Sequence, residues 1–330
     1  MGVARYMNMG RFVRRSSLIF PVNVLRFVEK AFLRGADCCI MDLEDAVPED
    51  EKDHARRLVK DAIPIVGKGG SDVAVRINGS LSLAFKDLEA SVWPGLVCVA
   101  LPKAELCEEI RIVDAIIGGL EERRGMRRGS VQLSLSFESA IGVINAFEIS
   151  CASPRIVSVG LGPEDLTREL GVEPTSGGRE LEYARGKILL DAYAAGVYPM
   201  GLVGTEAFSW DSPEKVFDAA TYSRKLGFRG GGSIHPAPIP YLNRGFSISA
   251  DEVAYMRRAL EAFEEGLRKG TASVNVDGRM VDIASARRCR DFLNRADTIA
   301  VFEARKAEAL KDPNTVEAQM RATIEAAEKK

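Results

Sequence analysis

Along the chain, short runs of apolar and β-branched residues alternate with longer segments whose apolar positions recur at helical spacing. Eight of these runs predict strands: SSLIF (16–20), CCIMDLE (38–44), DVAVRIN (72–78), VCVALPK (97–103), VQLSLSFE (131–138), IVSVGL (156–161), PMGLVG (199–204) and GGSIHP (231–236). The segments between them, LRFVEKAFLRG, DEKDHARRLVKDA and LEYARGKILLDAYAAG among them, predict amphipathic helices, several closing on a glycine suited to a left-handed cap. Strands alternating with helices in this way predict parallel pairing, and eight units over residues 14–246 predict a (β/α)8 TIM barrel. A doubly wound open sheet is the competing arrangement, but no glycine-rich phosphate turn follows the first strand. Past the barrel, SADEVAYMRRALEAFEEGLRKG, the extended ASVNVDGRMVD and a helix from Ile283 predict a C-terminal helical extension or lid over 247–312. Residues 313–330 read as a charged tail, a solvated helix or fraying end.

Strand parity then sorts the side chains at the barrel mouth, where the chemistry of such folds sits. In the fifth run Leu133, Leu135 and Phe137 face the helices, which turns Ser134, Ser136 and Glu138 into the lumen. The third run sends Arg76 and Asn78 inward. In the second, Leu43 belongs to the helix-facing set, so Asp42 and Glu44 point inward and Asp45 lies at the exit. GLGPEDL places Glu164 and Asp165 just above the end of the sixth run. Lys103 is in phase with Val97, Val99 and Leu101, so parity leaves its direction open.

The inferred mouth thus gathers Asp42, Glu44, Asp45, Glu138 and Asp165 with Arg76. So many carboxylates raise one another's pKa unless a cation neutralises them. A hard divalent ion suits the set, and Mg2+ takes one or two carboxylates together with water and substrate oxygens. Two histidines, His54 and His235, offer too little for zinc. Pro48 divides the acidic stretch IMDLEDAVPEDEKDHAR. The acids before it belong to the strand end, whereas Glu49, Asp50, Glu51 and Asp53 suit the first turn of a helix.

Composition narrows the partners. Forty-five basic residues nearly balance 47 acidic ones, for a formal charge of -2, so nothing global steers the chain to nucleic acid or an anionic membrane. A small-molecule partner is the expectation. The six cysteines show no metal-ligand spacing and sit mostly in apolar runs, which points to a reducing, cytoplasmic setting. Arg14-Arg15 before SSLIF has a faint look of an export signal, but Pro21 and Asn23 break the apolar run that would have to follow. The basic cluster ERRGMRR (122–128) reads as a solvated helix end.

At these residues the chain resembles the HpcH/HpaI aldolase and citrate lyase beta-subunit family, which includes malyl-CoA and citramalyl-CoA lyases. RRSSLIF, RFVEKAFLRGADCCIMDLEDAVPEDEKDHAR, VRIN, LPK, the Glu of SFESAIG, ASPRI followed by GPEDL, YAR, LGF with SIHP, and DGRMVD follow the family's order across most of residues 14–290. The resemblance implies a barrel of the pyruvate-kinase/phosphoenolpyruvate type that binds Mg2+ through Glu138 and Asp165. It implies that Arg76 holds the substrate's carboxylate or carbonyl oxygen, and that Glu44 and Asp45 hold metal-bound waters. Lys103 becomes a candidate substrate contact. Asp282, in the late DG-x-M-x-D motif, is implied to reach a neighbouring subunit as acid/base, and with it a homotrimer or hexamer; a helix N-cap accounts for Asp282 as well.

The activity implied is Mg2+-dependent cleavage of a carbon–carbon bond in a short 3-hydroxyacyl-CoA of malyl, citramalyl or citryl type, with a 2-oxo acid or acyl-CoA as the small-molecule partner. A 4-hydroxy-2-oxo-acid aldolase, a malyl-CoA thioesterase, and a carrier-dependent or purely ligand-binding relative are the alternatives. One departure bears on the thioester. Where many relatives carry F-V-P-G after the first strand, this chain has Phe20-Pro21-Val22-Asn23 and loses a glycine suited to close approach of pantetheine.

Overall fold

The computed structural model describes residues 12–175, 177–204 and 212–311. Eight parallel strands form one sheet: β1 (Ser16–Pro21), β2 (Cys38–Asp42), β3 (Asp72–Arg76), β4 (Cys98–Leu101), β5 (Gln132–Phe137), β6 (Ile156–Leu161), β7 (Tyr198–Met200) and β8 (Gly231–Ser233). Each pairs with its neighbours in chain order, and β8 returns to pair with β1. A parallel bridge between Met200 and Gly230 joins β7 to β8 and closes the ring into a (β/α)8 TIM barrel. Strands β7 and β8 are shorter than their apolar runs, and glycine is required between them by the close approach of the first strand's entry. A Cβ at Gly230 would stand 1.8 Å from the Arg14 carbonyl oxygen.

The helices follow the amphipathic segments. In order they are α1 (Leu25–Ala31), α2 (Lys52–Val66), α3 (Leu81–Ser91), α4 (Cys107–Arg123), α5 (Ala140–Ile144), α6 (Ala146–Ser150), α7 (Pro163–Leu170), α8 (Glu182–Ala195), α9 (Pro213–Leu226), α10 (Ile239–Gly245), α11 (Ala250–Arg268) and α12 (Ile283–Ala309). The main core lies between strands and helices, where Met41, Val75, Val99, Leu133 and Phe137 meet Val59, Leu88, Ile110 and Ile188. That burial of roughly 25 cal/mol per Å2 of apolar surface is the dominant favourable term. A bulge shifts the β5–β6 register between Leu133 and Ser134 and turns Ser158 into the lumen, where its hydroxyl donates to Ser134 at 2.8 Å.

The lumen is narrow-chained at its base, with Cys38, Ala74 and Cys98 packed together. The room left by these small residues takes the buried side chain of Arg14, whose Nη1 lies 3.5 Å from Cys98 Sγ and whose Nη2 lies 3.6 Å from Asp72. Arg15 forks onto Asp37 through two 2.8 Å bonds. The arginine pair is therefore barrel architecture.

A capping box of Ser249 and Glu252 starts α11. A two-stranded hairpin, β9 (Val274–Val276) and β10 (Arg279–Val281), turns at Asp277 and Gly278, both at positive φ, and leads into α12. Helix α12 runs beneath the barrel. Lys306 bonds Asp37 at 2.8 Å and the Gly35 carbonyl at 3.0 Å, Arg305 pairs with Asp72 at 2.9 Å, and Arg295 reaches the Arg229 carbonyl and the Tyr198 hydroxyl. All of these partners lie at the amino ends of strands, opposite the mouth. Within one chain α12 is thus a floor brace, and no described residue of the extension expected over 247–312 lines the mouth cavity of its own barrel. The tail expected over 313–330 lies outside the described residues. No described helix is long and apolar enough to cross a membrane.

Candidate active site

At the carboxyl ends of the strands the lumen opens into a cavity of about 410 Å3 whose lining includes Asp45, Arg76, Glu138, Glu164 and Asp165. Arg76 ends β3 and Glu138 follows β5, as parity requires. Strand β2 stops at Asp42, so Glu44 and Asp45 sit in the bend beyond it. That bend is fixed from both sides. Asp42 accepts the backbone N–H groups of Glu44 and Ala46 at 3.0 Å, and the buried Lys52 ammonium donates to the Leu43 and Glu44 carbonyls at 3.1 and 3.0 Å.

Asp42 is fully buried and takes Arg76 bidentately, Nε at 2.7 Å and Nη2 at 2.6 Å. Arg76 Nη1 lies 3.1 Å from Glu44. Burial works against the Arg76 cation, but its bonds to Asp42 and the charge of Glu44 overcome that and hold its pKa above the usual value. The guanidinium is permanently charged and set in one plane, with its remaining donors facing the cavity. Asn78, expected to point into the lumen, instead donates to the Leu43 carbonyl and to Asp87 on α3, and so ties β3 to the bend.

Lys103 resolves its parity conflict through its backbone. It stands at φ 55, one of two described non-glycine residues at positive φ, and this turn carries the side chain to the carboxylates. Its ammonium lies 2.8 Å from Glu44, 3.3 Å from Asp165 and 3.7 Å from Asp45. Burial opposes the charge, yet bonds to Glu44 and the acids around it raise the Lys103 pKa, so it stays protonated.

Glu138 lies over Gly162, where a Cβ would meet its Cγ at 2.5 Å and Oε1 at 2.9 Å. Glycine is required there by close approach. Burial, with the neighbouring Asp165 and Glu44, pushes Glu138 up to about 7. Asp165, in the first turn of α7 behind Pro163, moves the other way. Burial raises it, but hydrogen bonds from Lys103 and Glu138 outweigh that and hold it below the usual range. Two adjacent carboxylates pushed apart in this fashion are a pair that a divalent cation would neutralise. The donor set is all oxygen, and no group of three or more His, Cys, Asp or Glu converges on a point among the described residues. A carboxylate pair completed by water and substrate oxygens fits Mg2+ and fits zinc poorly.

Asp282 and His235 fall outside the cavity. Asp282 caps α12, accepting the Ser285 N–H at 2.8 Å, and this bond holds its pKa low; its carboxylate is not part of its own chain's cavity lining. His235 is exposed, with Nδ1 accepting the Ala237 N–H at 3.2 Å. Of the 122–128 cluster, Arg124 stacks on Trp93 and bonds the Val92 carbonyl at 2.6 Å, a structural staple. Sequence reasoning gave no role to Gly162 or Lys52, and no place in the barrel to Arg14. Only the close packing around them reveals these.

The family model for HpcH/HpaI aldolase/citrate lyase matches residues 15–236, which contain the whole barrel and every cavity carboxylate named above. The chain belongs to this family. The family is named for aldolases and citrate lyase. The chain is 34% identical over 271 residues to the citrate lyase subunit beta of Leuconostoc mesenteroides subsp. cremoris, covering 82% of this chain and 89% of that one. It is 33% identical over 291 residues to a (3S)-malyl-CoA thioesterase of Cereibacter sphaeroides, covering 88% and 97%. Among solved structures, CitE from Mycobacterium tuberculosis in complex with magnesium, acetoacetate and coenzyme A superposes with a TM-score of 0.67 at 27% identity, over 87% of this chain and 99% of that one.

Proposed function

We propose that this family member is a Mg2+-dependent lyase that cleaves a short 3-hydroxyacyl-CoA thioester into an acyl-CoA and a 2-oxo acid. The observation that carries this reading is the Glu138–Asp165 carboxylate pair, with one member pushed up to about 7, set beside a fixed Arg76 in one cavity. The relatives named above support it, one bound to magnesium and coenzyme A. Glu138 and Asp165 would hold the ion. Once bound, Mg2+ polarises the carbonyl that forms and stabilises negative charge on the departing enolate.

The protein's own groups do the rest. Arg76, locked by Asp42 and Glu44, orients the carboxylate or carbonyl oxygen of the 2-oxo acid and needs no reorganisation during the reaction. Lys103 holds Glu44 and Asp165 at fixed separation, so it positions the ion's ligands without forming a Schiff base. Leu161, Leu202 and Ile234 give the cavity an apolar wall. Proton transfer falls to Asp282 of a second copy, because Asp282 does not enter its own cavity; a homotrimer, or a hexamer of two trimers, follows from this reading.

The test is an assay of malyl-, citramalyl- and citryl-CoA and of free 4-hydroxy-2-oxo acids, with release of 2-oxo acid measured with Mg2+ and with a chelator. Mg2+-dependent release from a thioester is expected. Release from free acids alone, or no release from any substrate, would contradict the proposal. The Cereibacter relative favours one second reading, hydrolysis of the thioester. Free CoA thiol appearing with the hydroxy acid intact would establish that instead.

A further inference from the structure

A second cavity, of about 750 Å3, lies at the amino ends of the strands, on the far side of the barrel from the mouth. The closing turns of α9 and α10, the start of α11 and one residue of α12 wall it, with Arg15 at the entry to β1. Helices α9 and α10 meet closely there. A Cβ at Gly245 would stand 2.6 Å from Ala220 Cβ and 3.0 Å from the Phe217 carbonyl oxygen. Arg244 reaches back across this contact, its guanidinium 5.0 Å from the centre of the Phe217 ring. Arg224 is seated from the other side, Nε donating to the Gly245 carbonyl at 3.1 Å and Nη2 to the two Glu252 oxygens at 2.9 and 3.1 Å.

The charges of this cavity do not balance. Arg15, Arg224, Lys225 and Arg244 line it against two acids, Glu252 and Glu303. Both acids are already engaged. Glu252 takes Arg224 and accepts the Ser249 N–H at 2.8 Å as part of the α11 cap, and Glu303 takes Arg15 and Lys306. Arg15 and Lys306 also share the buried Asp37, which completes their neutralisation. Lys225 and Arg244 are left over: neither has a carboxylate within ion-pair distance among the described residues. Arg224 keeps Nη1 without a protein partner there, and Thr221 on the same wall holds a buried hydroxyl that makes no hydrogen bond.

Two uncompensated cations beside a fixed guanidinium suit a dianion. A carboxylate would answer one of them, whereas a phosphate group brings about two negative charges and several acceptor oxygens near neutral pH. The cavity is larger than a phosphate group, and Phe217 and Pro240 give it apolar wall against which an organic body can lie. We propose that this cavity binds a phosphate dianion, free or carried on a small organic molecule, among Arg244, Lys225 and Arg224. The site is independent of the chemistry at the mouth.

Calorimetric titration of the full chain with inorganic phosphate, phenyl phosphate and benzoate, at about pH 8 and without divalent cations, tests it. Wild type is expected to bind both phosphates, and benzoate at least about tenfold more weakly. Arg244→Gln and Lys225→Gln are each expected to weaken phosphate binding about tenfold, while Arg185→Gln, in the lining of the mouth cavity, leaves it within about twofold. Lys225 and Arg244 are exposed, so both variants should keep the wild-type circular dichroism and thermal midpoint. Tighter binding of phenyl phosphate identifies an ester as the ligand and tighter binding of inorganic phosphate identifies the free ion; either upholds the site. Binding that Arg185→Gln abolishes and the two cavity variants keep places the anion at the mouth and overturns the proposal. Benzoate binding as tightly as phenyl phosphate, or no binding of either phosphate to the wild type, overturns it as well.

Discussion

Lys103 donates to Glu44 across 2.8 Å from a backbone at φ 55, a conformation that lysine adopts only when its surroundings compel it. The same ammonium reaches Asp165, so one side chain after β4 ties the acid bend after β2 to the first turn of α7. Removing it as Lys103→Met takes a positive charge from beside the metal pair. Divalent affinity should rise roughly fivefold, a screened Coulomb effect of about 1 kcal/mol, while turnover falls at least about tenfold because the ligands lose their spacing. Mn2+ titration beside steady-state kinetics separates these effects. Weaker metal binding would show that Lys103 builds the site more than it competes with the ion.

Gly162 makes a sharper steric prediction. A methyl group there would overlap Glu138 Cγ at 2.5 Å, so Gly162→Ala must push the carboxylate aside. Metal affinity is expected to drop about tenfold or more, with the thermal midpoint lowered by a few degrees at most, since the strain is about 1–3 kcal/mol. Unchanged metal affinity in a crystal structure showing Glu138 displaced would separate this carboxylate from the ion.

Asp282 is testable by mixing. The Asp282→Asn and Glu138→Gln variants are each expected to be inactive. Dissociated, mixed in equal amounts and reassembled, they should recover about a quarter of wild-type activity, because half the sites keep Glu138 and half of those meet an intact Asp282. If Asp282 serves only as the N-cap it makes in this chain, Asp282→Asn keeps its activity, loses at most about 1 kcal/mol of stability, and mixing adds nothing.

Away from the mouth, Glu121 on α4 is buried against Arg155 at 2.7 Å and accepts the Val131 and Gly129 N–H groups at 2.7 and 2.8 Å. Burial opposes its charge, but Arg155 and these backbone donors lower its pKa to about 2. A carboxylate whose folded pKa is depressed contributes stability that is present above its unfolded value near 4.5 and is lost as pH falls toward 2. Glu121→Gln should therefore lower stability by about 2–3 kcal/mol at pH 7, and the difference from wild type should shrink between pH 4.5 and 2. Denaturant unfolding across that range reads it directly. A pH-independent difference would assign the loss to packing.

The barrel was legible because the period of two is strong wherever one strand face is buried. Leu133, Leu135 and Phe137 against Ser134, Ser136 and Glu138 is such a case, and the positions of Glu138 and Arg76 at the cavity follow from it. Parity failed at Lys103 because a positive φ turns a side chain independently of its strand, and nothing in the LPK tripeptide marks that turn. Asn78 went elsewhere because Asp87, nine residues on, offered its buried amide a better partner than the lumen. Tertiary contacts of high sequence separation, such as Lys306 with Asp37, leave no local signal. Hence the extension's position under the barrel was beyond a sequence pattern, although its helices were not.

The central claim is that Glu138 and Asp165 hold the ion on which cleavage depends. Calorimetric titration of Mg2+ into wild type, Glu138→Gln and Asp165→Asn, each verified as folded by circular dichroism, tests it most directly. One site per chain in the wild type, weakened about 100-fold or more in either variant, is the predicted result. Wild-type Mg2+ affinity in both variants would contradict it.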